Sequence, residues 1–534
     1  MRSRIFKLTP TATDITRYRT ACEGVLFRDL AAAAAKNTEF RLWNAHGKIN
    51  NKYRSRLAKF REEDGKKRPV ERRKLEKRYL AFIKSSMRFY RGYIQRLAAH
   101  FRSPKEILEV AHKLHLDNDS NAVIQNCMID GTALSVDPVI EPSQQETELI
   151  LESCHATLVR LGDLSRYRET ELQTKQRNWA PAVGYYDLAT ALKPSSGASH
   201  NQLAVIALAD GNHMSALYHL YRAISVRVPY PRARENLETE FKKICDRKKN
   251  NQLFPQPPEQ QPGIVLQAWF VYLHARLNAG VNFPEHEELE NEVLTNLSVE
   301  LKERPLDGLL NKFALSNIAA QHLASIEAPG ESLNYYQEPI LTMTAEPNEN
   351  RGQAFIFFLR FNINTFFTLI QILLRELEHV VAEDDPLCKV PSSKDISDRI
   401  SATARRILPC LRQYSSWLVS NASHLVALEN HEFVGVQVTE FWRSYADALT
   451  MLAATFPKSD LPRVDYLLEE DEDTIAFSPF ASGNTSKRYL RADRITPRPR
   501  SRDQGVQRHH PSVEMLFRIR GLLEDGIALA ARPV

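Results

Sequence analysis

Two pairs of alanines in this chain repeat one interval. Ala182 and Ala216 stand 34 residues apart, and so do Ala189 and Ala223. In "APAVGYYDLATALKP", Tyr186, Ala189 and Pro194 follow Ala182 at +4, +7 and +12; in "SALYHLYRAISVRVP", Leu220 and Ala223 follow Ala216 at the same +4 and +7. A 34-residue period with small residues at fixed places is the signature of a tetratricopeptide repeat, whose paired helices need small side chains where they cross. Leu203, Ala204 and Gly211 fall where the second unit wants an apolar residue, a small residue and a turn. Two such units cannot bury their own faces, so neighbouring helices must complete the stack. The interval therefore predicts an all-α fold.

Length and composition agree with it. At 534 residues the chain exceeds one ordinary core, and two or more domains are expected. Only 19 glycines occur, and long stretches are rich in helix formers. The first 250 residues read as one helical domain, with its repeats at about 161–228. "FPQPPEQQPG" (Phe254–Gly263) closes a proline-rich linker over 251–263, where proline prevents continued helix. Amphipathic stretches over 264–460 predict stacked helical hairpins, and 461–534 reads as an acidic turn, a loop and a closing helix packed on them.

Several functional classes find no support. "MRSRIFKLTP" lacks the apolar core of a secretory signal. "AFIFFLRFNINTFFTLIQILL" (Ala354–Leu374) has membrane length, but Arg360, Asn362, Asn364 and Gln371 interrupt it, which favours a buried helix or helix pair and no membrane partner. Cys22, Cys127, Cys154, Cys245, Cys388 and Cys410 form no close pair and read as reduced thiols, neither a zinc site nor a disulfide framework. There is no phosphate-binding G-x-x-x-x-G-K-[ST] loop, no nucleophile elbow and no convincing acid–base pair. "LLEEDED" reads as a solvated acidic turn, and His509 and His510 as solvated loop residues. No cofactor and no enzymatic activity are expected.

The net charge is +6, so its distribution matters more than its sum. From Lys48 to Arg96 cations outnumber acids and are interleaved with Tyr53, Phe60, Tyr79, Phe82, Phe89, Tyr90 and Tyr93. The stretch reads either as a helical hairpin with its aromatics in the core, or as a basic surface for phosphate. Lys66, Lys67, Arg68, Arg72, Arg73 and Lys74 are its nucleic-acid-binding candidates.

"LGDLSRYR" (Leu161–Arg168), the two repeats, "SSGASHNQLAVIALADGNHMSALYHLYRAI" and "VRVPYPRARENLETEF" resemble the SMG and ever-shorter-telomeres family, adaptors of nonsense-mediated mRNA decay and telomerase recruitment. "LWNAHGKIN", "LLEEDEDTIAFSPF" and "HHPSVEMLFRIRGLL" are similar to further motifs of that family in its filamentous-fungal form. The resemblance implies a 14-3-3-like N-terminal domain with tetratricopeptide-type repeats, followed by helical hairpins. It implies a phosphoserine pocket built from Arg166 and Tyr167 of "GDLSRY" and Lys48 of "LWNAHGK", with Lys52 or Arg56 in place of a further arginine where Ser55 stands. A phosphoserine dianion offers three acceptor oxygens, which an arginine fork, a lysine and a tyrosine hydroxyl can share. The alternative for Arg166 is an ion pair with Asp163, three residues earlier on the same helix.

Two functions follow from the resemblance. One is an adaptor reading phosphorylated serine or threonine on the RNA helicase of nonsense-mediated decay and recruiting the mRNA decay machinery, alone or paired with a paralogue. The other is a telomerase-associated protein binding telomerase RNA or single-stranded DNA. Both imply the nucleus and cytoplasm, with the nucleus favoured.

Overall fold

The computed structural model describes residues 12–63, 69–102, 104–116, 139–172, 176–254, 263–306, 308–327, 349–383, 396–481, 485–491, 493, 495–503 and 505–531. Among them the regular structure is helical, with strand pairing limited to isolated bridges. The chain divides into two compact units, Met1–Ile206 and Ala207–Val534.

The first unit holds α1 (Ala12–Arg28), α2 (Leu30–Ala35), α3 (Thr38–Glu63), α4 (Pro69–His100), α5 (Lys105–Lys113), α6 (Gln144–Leu172) and α7 (Ala180–Leu192). α8 (Ala198–Ala209) spans the division. The alanine-rich run after Asp29 reads as one long helix in sequence, but Asn37 adopts φ 51° and breaks it into α2 and α3. Asparagine tolerates that left-handed region better than most residues. The core gathers Leu158, Leu161 and Leu164 of α6 with Tyr79, Tyr90 and Tyr93 of α4. Of the interleaved aromatics, Tyr79, Phe82, Tyr90 and Tyr93 are thus buried, while Tyr53 and Phe89 pack half-buried against them. Lys48, Lys52, Arg56, Arg73 and Lys74 of this stretch are exposed, whereas Arg91 and Arg96 are half-buried.

The second unit continues with α9 (His213–Ile224), α10 (Ala233–Lys249), α11 (Ile264–Asn278), α12 (His286–Glu303), α13 (Leu309–Glu327), α14 (Glu349–Glu383), α15 (Ala402–Ala427), α16 (Gly435–Thr455), the short α17 (Glu469–Glu472) and α18 (Pro511–Ala530). Asn212 caps α9 by accepting from Ser215 N at 2.9 Å, just after Gly211 turns the chain at φ 71°. The repeat alanines Ala182, Ala189, Ala216 and Ala223 are all fully buried. α10 and α11, on either side of the proline-rich segment, pack on each other within this unit. Residues 255–262 of that segment lie outside the described residues, as do Cys127 and Cys388.

α14 is one continuous helix. It is long and apolar enough to cross a membrane, and 72% of its most apolar stretch is buried inside the protein. The polar residues that interrupt it each meet a partner. Asn362 donates to Gln321 Oε1 at 2.9 Å, Gln371 donates to Ser444 Oγ at 3.1 Å, and Asn364 and Arg360 reach Glu290 and Glu287 of α12. Polar side chains paired across helices in this way fit a protein core.

Candidate functional site

The motif "LGDLSRYR" lies on α6. Ser143 starts that helix with a reciprocal cap: its N–H and hydroxyl donate to Glu146 at 2.9 and 2.8 Å, and its oxygen accepts from Glu146 N at 3.3 Å. Gly162 lets α7 come close. A Cβ at that position would stand 2.4 Å from Tyr186 Cε1, which no other residue type could tolerate without displacing the ring. The Tyr186 hydroxyl then donates to Asp163 Oδ1 at 2.8 Å, and Arg166 Nη2 donates to the same oxygen at 2.9 Å. Arg166 also donates from Nη2 to Gln202 Oε1 at 3.2 Å and from Nε to the Tyr186 hydroxyl at 3.4 Å.

The ion pair that sequence offered as the alternative for Arg166 is therefore present, with both side chains largely buried. Burial raises the Asp163 carboxyl above the usual carboxylate range, against the pull of Arg166. Burial alone would lower the Arg166 guanidinium, but Asp163 and Tyr186 outweigh it and hold it above its ordinary value.

Tyr167 sits between two guanidinium groups. The Arg166 Cζ lies 4.8 Å from its ring centroid and the Arg54 Cζ lies 5.4 Å from it. Arg54 comes from α3, which runs beside α6 in the same direction: Glu39 near its start holds Arg160 at 2.8 Å, and Arg54 further on holds Glu171 at 2.8 Å. Arg61 reaches the same Glu171 at 2.9 Å. Two arginines, 40% and 43% exposed, thus share one buried carboxylate, and the end of α3 keeps a surplus of positive charge.

Lys48 and Lys52 are exposed on α3, one turn apart, and Arg56 is exposed beyond them. The cation against Tyr167 is Arg54, which the residue-by-residue resemblance passes over. Its spacing carries a signal, since Arg54 and Arg61 are seven residues apart and share one helix face. Of the nucleic-acid candidates, Lys66, Lys67 and Arg68 lie outside the described residues; Arg72 pairs with Glu76 at 2.8 Å, and Arg73 and Lys74 are exposed.

The acidic run departs from its expectation. Glu470 and Asp471 are buried, not solvated. Arg412 Nη1 donates to them at 3.1 and 2.7 Å, and Arg518 grips Glu470 through Nε and Nη2 at 3.0 and 2.8 Å. Arginines from α15 and α18 neutralise the acids and make their burial possible.

Comparison with known proteins agrees with this architecture. The family described as "Est1 DNA/RNA binding domain" matches residues 182–484, and "Telomerase activating protein Est1" matches residues 37–172. The chain is 26% identical over 222 residues to "Nonsense-mediated mRNA decay factor SMG7" of Danio rerio, covering 42% of this chain and 16% of that protein. It is 29% identical over 197 residues to "Telomere elongation protein est1" of Schizosaccharomyces pombe, covering 37% of this chain and 38% of that one. The chain thus spans well under half the length of these relatives. A solved structure described as "Crystal structure of Est1 and Cdc13" shares the fold, with a TM-score of 0.66 at 15% identity over 97% of this chain and 91% of that one. The family match covers more than half of the sequence, and the chain belongs to the Est1 family, which includes telomerase-activating proteins and SMG factors of nonsense-mediated mRNA decay.

Proposed function

We propose that this protein is a non-enzymatic adaptor that reads phosphorylated serine or threonine on the RNA helicase of nonsense-mediated decay and recruits decay factors, with a paralogue as a candidate second subunit. One observation carries the reading: Tyr167 lies between the guanidinium groups of Arg54 and Arg166, beside a cation surplus at the end of α3. Asp163 fixes Arg166 through Nη2, which holds its guanidinium against the Tyr167 ring. Arg54 supplies a second fork and the exposed Lys48 and Lys52 supply long-range attraction.

The test is fluorescence anisotropy with a phosphoserine peptide and its unphosphorylated twin. Arg54→Ala removes a half-exposed arginine and leaves the Asp163–Arg166 pair intact. One lost charge-assisted bond, about 1.5–3 kcal/mol, should weaken phosphopeptide binding roughly ten- to a hundredfold. A parent protein that does not distinguish the two peptides would remove the reading.

A second reading, binding of telomerase RNA or single-stranded DNA in the nucleus, is favoured by the Est1 DNA/RNA binding domain match over 182–484. The exposed Arg73 and Lys74 at the start of α4 add phosphate-binding charge.

A further inference from the structure

Four aromatics of the basic N-terminal stretch are buried, and Tyr53 and Phe89 pack against them. The second unit also sets rings beside cations. α10 ends in "KKICDRKK", residues 242–249, with five cations and one acid. On the facing helix α11, Trp269, Tyr272 and Arg276 are spaced by three and four residues and share a face.

Lys248 Nζ lies 4.5 Å above the Trp269 ring and 5.9 Å from that of Tyr272. The ring centroids of Trp269 and Tyr272 are 6.3 Å apart, and Phe254 meets Trp269 edge-on at 5.3 Å. All three rings are half-buried, unlike the fully buried Tyr79, Phe82, Tyr90 and Tyr93 of the first unit. Among the flanking cations, Lys249 lies 3.8 Å from Asp246 with both side chains largely exposed.

We propose that Phe254, Trp269 and Tyr272, with Lys248, Lys249 and Arg276, form a stacking platform for single-stranded nucleic acid. This inference rests on the second reading above and gives it a location. Each base presents a π-face that can take the place of Lys248 over Trp269, so the platform is tolerant of sequence. The cations of α10 and Arg276 follow the phosphate backbone, and stacking contributes about 1–3 kcal/mol per base. An acidic protein partner would use the cations but not the stacking faces of the rings.

The test titrates the full chain against fluorescein-labelled single-stranded RNA and DNA of one mixed sequence at several salt concentrations. Trp269→Leu with Tyr272→Leu should weaken binding roughly ten- to a hundredfold without changing the salt slope, and Trp269→Phe with Tyr272→Phe should restore it. Lys248→Gln with Lys249→Gln, checked for an unchanged helical circular dichroism spectrum, should lower the log–log salt slope by about 1–2. The RNA and DNA arms show which strand is preferred. A parent that binds, with ring and lysine variants that bind like it, would overturn the location alone. A parent with no binding, or with a salt slope near zero, would overturn the nucleic-acid reading and the platform with it.

Discussion

The Tyr186 hydroxyl donates a 2.8 Å hydrogen bond to Asp163, on the same oxygen that holds Arg166. A residue of the first repeat thereby orients the arginine of the "GDLSRYR" motif across two helices. Tyr186→Phe removes the donor and leaves a buried carboxylate with one partner fewer. Hydrogen bonds to charged groups contribute about 1.5–3 kcal/mol, so the midpoint of thermal unfolding should fall by several degrees in scanning calorimetry.

Gly162→Ala tests the helix contact itself. The new methyl would meet the Tyr186 ring at 2.4 Å, and overpacking of this kind costs about 1–3 kcal/mol. Denaturant unfolding should show a lower midpoint with an unchanged slope. Alanine is otherwise the better helix former, so a stabilised variant would contradict the described contact.

Acid should weaken both units. Burial pushes His46 down to about 3, with Arg19 adding to it, and burial likewise lowers His219 and His274 to about 3 and His155 and His322 to about 4. These rings are neutral when folded and take up protons when unfolded below about pH 6.5. The unfolded state then binds more protons, so stability is level above pH 6.5 and falls as pH drops from there towards about 4. Each such histidine contributes up to about 1.4 kcal/mol per pH unit in that window. Thermal midpoints measured between pH 7.5 and 5 should trace this decline.

Arg412→Leu breaks a buried ionic cluster. It removes a partner of Glu470 and Asp471, and loss of one member of a buried pair costs about 3–5 kcal/mol. Limited proteolysis should open the chain between Leu468 and Phe480 first. Protection equal to the parent's would show that Arg518 alone holds the segment.

The repeats were legible because small residues must recur where helices cross, and the four alanines of the 34-residue interval are buried as that argument requires. The Asp163–Arg166 pair was legible because three residues along a helix return a side chain to the same face. What escaped was long-range. Glu470 meets arginines 58 and 48 residues away, so nothing local distinguishes it from a solvated acid. Arg54 finds Tyr167 only when α3 and α6 lie side by side, and Lys248 finds Trp269 only across the chain that joins α10 to α11.

The cluster around Glu470 also dictates where this polypeptide can be shortened. A fragment ending soon after α16 would shed the carboxylates that Arg412 faces and uncover the apolar faces of α15 and α16 on which α18 packs. Expression of the hairpin region by itself should give insoluble material, and soluble protein should return once the boundary is moved past α18.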